Sequence, residues 1–171
     1  PTPNGVIPMN IRRLLLIVIA VLVAVLLLIQ IVPYGRAHQN PPVVQEPNWD
    51  SPQTRELAQR ACFDCHSNET VWPWYSNIAP VSWLVQHDVD EGRQYLNFSD
   101  WGRSEAAGEP DELGGAVLEG EMPPAQFLIT HAEARLTDAE KTALANGLMA
   151  TAGLSPVAAH EGHEGGEGDH D

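Results

Sequence analysis

ACFDCHSNETVWPWYSNIAPVSW, residues 61 to 83, contains both cysteines of a 171-residue chain, Cys62 and Cys65, with His66 immediately after the second. Cys-Phe-Asp-Cys-His is the attachment pattern of a c-type haem. Two intervening residues place the thiols on one helical turn, spaced to meet the two vinyl groups of a porphyrin. The adjacent histidine then swings beneath the ring to ligate iron. In shuffled sequences of this composition the pattern arises roughly once in two thousand, so chance explains it poorly. Zinc needs four ligands, and no second Cys or His pair stands at matching spacing. A thioredoxin-like redox pair needs a βαβ context that the chain lacks. A disulfide across three residues closes too short a loop to stabilise much. One covalent haem c, held through Cys62 and Cys65, is the reading that remains.

The sixth iron ligand is sought among three methionines. Met9 precedes the apolar run described below, and Met149 sits inside a helical pattern. Met122 occurs in GEMPP, where two prolines stiffen the chain after a flexible approach, and it takes the position. His87 and His131 are the bis-histidine alternatives, and each reads more simply as a surface residue. His66 and Met122 are thus the expected metal ligands. Such ligation raises the haem potential and leaves no open site, which favours electron transfer over catalysis.

Working outward, Leu14 to Val32 runs LLLIVIAVLVAVLLLIQIV, nineteen residues with Gln30 as the one polar member. A helix of this length spans roughly 29 Å, about the hydrocarbon thickness of a bilayer. The run exceeds the apolar region of a signal peptide and ends without small cleavage-site residues, so it reads as an uncleaved anchor. Arg12 and Arg13 abut its N-terminal end, against Arg36 on the other side. The positive-inside rule then leaves residues 1–13 as a short cytoplasmic terminus and sends the rest to the periplasmic side of a bacterial cytoplasmic membrane. That outer part carries all 23 acidic residues against seven basic ones, a net of −16. That net charge argues against nucleic acid or an anionic membrane surface as its partner, whereas a basic redox protein suits it.

Residues 33–50 hold four prolines and read as an extended tether. Ser51 followed by Pro52 predicts a helix start. Residues 80–96 place Val81, Leu84, Val85 and Val89 at helical spacing, and DELGGAVLEG predicts a short helix. Thr137 to Glu140 form a capping box opening a last helix that fades near Gly153. Strand signals are absent. Residues 51–153 are therefore expected to form an all-α, compact cytochrome c-like haem domain on a single N-terminal transmembrane helix. Residues 154–171 read as a disordered tail, whose His160, His163 and His170 offer loose Zn²⁺ or Cu²⁺ ligands.

The runs ACFDCHSNETVWPWYSNIAPVSWLVQHDVDEGRQYLNFSDW and GEMPPAQFLITHAEARLTDAEKTAL resemble the small bacterial haem-binding domain family of monohaem c-type cytochromes. The resemblance covers roughly residues 55–150 and implies a helical cytochrome c fold with His66 and Met122 as axial ligands. It departs over residues 100–119, which are acidic and Gly-rich where the family is richer in lysine. Trp72, Trp74, Tyr75 and Trp83 are candidates to wall a haem crevice, and Arg93 to pair with a propionate. A carbonyl in residues 77–80 is the expected acceptor for His66 Nδ1. The function expected is single-electron relay by a carrier rather than an enzyme, as a subunit of a respiratory or photosynthetic membrane complex. A haem-based redox or gas sensor and a structural subunit clamping a membrane complex are the alternatives.

Overall fold

The computed structural model describes residues 10–104 and 110–153, and these form an all-helical domain on one long apolar helix. Met9 and the predicted tail with His160, His163 and His170 lie outside the described residues. The elements are α1 (Ile11–Ile29), α2 (Pro52–Ala61), α3 (Phe63–His66), α4 (Val81–Tyr95), α5 (Pro110–Leu118), α6 (Ala125–Thr130) and α7 (Asp138–Thr151), with short 3₁₀ turns between them. Among the described residues no strand forms; Gln45 and Asp100 make one isolated bridge.

α1 has a mean hydropathy of 2.9 and no buried residue, which makes it a candidate membrane span. Its helix lies three residues N-terminal of the predicted run. Asn10 caps it by accepting from the Arg12 amide at 3.2 Å. Val32 precedes Pro33 and is disfavoured in the helical conformation, so residues 30–32 form a turn instead.

The core lies where α2, α3, α5 and α7 meet, with Leu57, Ala58, Phe63, Leu113, Val117, Leu144, Ala145 and Leu148 buried together. Leu96 and Phe98, just past the end of α4, complete it. Phe98 stacks on Phe63 at 5.4 Å between centroids, flanked by Trp49 at 5.1 Å and Trp101 at 6.1 Å. Those four rings supply apolar area that a domain this small cannot draw from aliphatics alone. α2 and α7 cross so closely that a side chain on Gly147 would meet the Thr54 side chain.

Residues 33–50 form no helix: after a turn at 33–36 they run bound along the domain rather than as a free tether. His38 Nε2 pairs with the Ser76 carbonyl at 3.1 Å, and Asn40 Nδ2 donates to the Thr70 carbonyl at 2.9 Å. Asn68 Nδ2 donates to the Pro42 carbonyl, and the Val44 and Gln45 amides both donate to the Ser99 carbonyl. Glu46 forms a two-point pair with Arg55, and Trp49 enters the core. A proline-rich segment has few amides for its own secondary structure, and here its carbonyls and polar side chains bond to the domain surface instead.

Candidate haem site

The attachment pattern sits on one turn. Ser51 caps α2 by accepting from the Thr54 amide at 3.2 Å, and α2 runs straight to Cys62. α3 is then the single turn Phe63–His66, and the Cys65 and His66 amides both return to the Cys62 carbonyl, at 3.2 and 2.9 Å. Phe63 is driven into the core. That burial turns Cys62, Cys65 and His66 the other way, onto a cavity of about 830 Å³ that all three line.

Both thiols are free, and burial pushes each up to about 12, well above an ordinary cysteine. At neutral pH they are S–H groups rather than thiolates.

His66 is nearly buried, and desolvation lowers its pKa, so the ring is neutral. Its Nδ1 lies 3.0 Å from the Gly92 carbonyl and 3.2 Å from the Leu96 carbonyl. Two acceptors on that side fix the proton on Nδ1 and leave the Nε2 lone pair for a metal. The acceptors therefore come from the C-terminal end of α4, not from residues 77–80. The last turn of a helix has carbonyls without intrahelical partners, and α4 offers them here. Gly92 makes the approach feasible, because a Cβ there would lie 2.5 Å from the Cys65 carbonyl oxygen.

Met122 lines the same cavity, with its amide bonded to the Ala116 carbonyl at 3.0 Å. Met149 is 1% exposed, packed on Gly114, and does not line the cavity. His87 stands on the surface beside Glu91. His131 stacks on Phe127 at 3.8 Å and lines a second, smaller cavity of about 340 Å³ with Tyr75 and Asp64.

The predicted aromatic wall is not what lines the main cavity; Leu96, Phe98, Leu113, Val117, Phe127 and Leu148 do that. Trp72 stacks on His38 at 4.8 Å and donates to Asn40. Trp74 is 76% exposed. The Tyr75 hydroxyl meets Thr130, and Trp83 Nε1 is buried with no acceptor among the described residues. Arg93 donates to the Ser67 and Gln39 carbonyls, Asn40 Oδ1 and Thr70 Oγ1, all at 2.8–3.0 Å, and so fastens the extended segment to the domain.

Sequence reasoning missed the acidic lining. Asp88, Glu91, Asp111, Glu112, Glu119 and Glu121 all border the cavity, and no Lys or Arg does among the described residues. Tyr95 donates to Glu112 at 2.6 Å, which links the end of α4 to α5. The signal was the acidic composition of residues 111–121, whose placement depends on how α5 folds back.

These residues fit a haem. Two thiols, a neutral imidazole with a free lone pair and a thioether converge on one cavity. Its volume lies within the roughly 300–1,000 Å³ usual for cofactor sites. A family model described as a haem-binding domain matches residues 24–150, well over half of the chain. No curated protein and no solved structure matched. Residues and match agree, and the chain belongs to the haem-binding domain family.

Proposed function

We propose that this chain is a membrane-anchored monohaem c-type cytochrome that relays single electrons outside the cytoplasmic membrane. The observation that carries the reading is the convergence of Cys62, Cys65, His66 and Met122 on one cavity. A bound haem supplies a one-electron iron couple. The chain's own groups do the rest. Cys62 and Cys65 would hold the haem, each thiol able to add S and H across one vinyl double bond with no atom lost. His66 presents Nε2 while the Gly92 and Leu96 carbonyls hold its Nδ1 proton. Met122 would offer its thioether as the second iron ligand, a donor that favours the reduced state. The six bordering carboxylates favour the oxidised, more positive state and temper that effect.

With both His66 and Met122 as ligands the iron would keep no open site, which supports a carrier rather than an enzyme. α1 anchors it with Arg12 and Arg13 on the cytoplasmic side. The acidic cavity border suits a basic redox partner, and other subunits of a respiratory or photosynthetic complex are the natural neighbours of such a carrier.

The test is an optical redox titration of the purified protein beside Met122→Ala. The weak far-red band of thioether-ligated ferric haem is expected in the wild type and lost in the variant, whose potential falls. Haem is expected to stay with the polypeptide under denaturing conditions. If the wild type lacks the band and its ferrous form binds carbon monoxide, the sixth site is open and a gas or redox sensor replaces the carrier.

A further inference from the structure

We infer that the haem domain rests on the bilayer, with the uncharged face around Trp74, Ile78 and Val81 set into the headgroup–acyl boundary. The inference depends on the reading of α1 as a membrane span.

The position of the face follows from one latch. α1 has nineteen residues, so it is about 28 Å long, close to one hydrocarbon core. The next residue, Gln30, donates from Nε2 to the Ala79 carbonyl at 2.8 Å, and its Oε1 accepts from the Ala79 amide at 3.1 Å. Arg36 Nη2 donates to the same Oε1 at 2.8 Å. Both backbone groups of Ala79 are thus held at the residue where the span leaves the hydrocarbon. Gly35 reinforces the junction. It takes a positive φ of 80° and sits against the Ser82 carbonyl, so closely that a Cβ would overlap it.

Around the latch the domain presents apolar side chains to the outside. Ile78 is 46% exposed and Val81 41%. Trp74 opens the 3₁₀ turn Trp74–Asn77 that leads to Ile78. At about 2 Å per residue that turn places Trp74 within roughly 8 Å of Ile78. The interfacial zone on one side of a bilayer is about 5–8 Å deep, so all three side chains fit within it. On the other side of Gln30, Ile31, Val32 and Tyr34 are likewise exposed. Indole is a poor group to leave in bulk water and the side chain most at home at this boundary.

Charge selects the same occupant. Residues 71–86 contain no Asp, Glu, Lys, Arg or His, in an outer part that carries 23 carboxylates. Arg36 stands at the latch, a cation that suits lipid phosphate, and a carboxylate near it, Asp90, accepts from the Tyr34 hydroxyl. The carboxylates that border the haem cavity come from the other half of α4 and from residues 111–121. The stretch of residues 71–86 is therefore uncharged where the cavity border is acidic.

The experiment uses the full haem-loaded chain in vesicles of phosphatidylcholine and phosphatidylglycerol. A nitroxide is attached at a cysteine introduced in place of Val21, Trp74, Ile78 or Asp138, the native thiols being consumed by haem. In the ferrous state, its accessibility to oxygen and to a water-soluble nickel chelate is measured. Labels at 74 and 78 are expected to favour oxygen, approaching the label at 21, while 138 stays aqueous. If 21 favours oxygen but 74 and 78 are aqueous, the domain stands clear of the lipid and the inference is overturned. Labels at 74 and 78 shielded from both reagents would mean that a second copy covers the face, which also overturns it. An aqueous label at 21 removes the span itself, a separate failure. Should Trp74→Cys not load haem, Ile78→Cys and Val81→Cys report on the same face.

Discussion

Gly92 serves the haem site twice. Its carbonyl orients His66, and its missing side chain lets the Cys65 backbone pass within contact. Gly92→Ala is expected to push two backbones apart, at a cost of about 1–3 kcal/mol. Denaturant melts should show the loss, and the ratio of bound haem to protein should fall. Arg93 makes a second test at this scale. Its donors are committed to four acceptors on the chain, so Arg93→Ala is expected to destabilise the fold by about 2–4 kcal/mol while leaving the haem potential nearly unchanged. A large shift in potential would restore the propionate role inferred from sequence. The attachment pattern was legible because all its chemistry lies within five residues. The acceptors of His66 were not, since they lie 26 and 30 residues away and are backbone atoms that any residue could supply.

Helix starts were the most legible elements, because a cap is a local agreement among neighbouring residues. Thr137 accepts from the Glu140 amide at 3.3 Å, and Glu140 Oε2 accepts from the Thr137 amide at 2.8 Å, the reciprocal box that the sequence predicted. Thr137→Ala is expected to cost about 1 kcal/mol in thermal or denaturant unfolding. Glu140 also accepts from Arg60 at 2.6 Å and so ties α7 to α2. The Thr137 amide first, then Arg60 and the Thr137 hydroxyl, hold its carboxyl at about 2 rather than the ordinary 4.5. Because the folded value is the lower one, this contribution is complete above pH 4.5 and drains away as pH falls toward 2. Glu140→Gln should therefore melt below the wild type at neutral pH, with the gap closing across that window. The bound course of residues 33–50 was hidden for the opposite reason. Its partners include Thr70, Ser76 and Ser99, tens of residues away, and no periodicity announces a bond to a distant carbonyl.

At the scale of the molecule, acidity gathers at the cavity border and is missing from the face beside the span. A relay of the proposed kind should meet a basic redox protein faster at low ionic strength. Glu91→Gln with Glu119→Gln is expected to slow that encounter several-fold at low salt and little at high salt, in stopped-flow traces. The all-helical class and the long apolar helix were legible in composition and run length. How span and domain join was not, because it turns on one glutamine and an alanine backbone 49 residues later. The family match begins at residue 24, inside α1, so the join falls within the matched unit. An unbound strand of 18 residues would let its cargo roam about 23 Å. Here Gln30, Arg93 and the Glu46–Arg55 pair leave no such slack. The proposed relay is then a fixed station and not a swinging arm: its distance from the lipid is set at folding, and each exchange waits for a partner to travel to it.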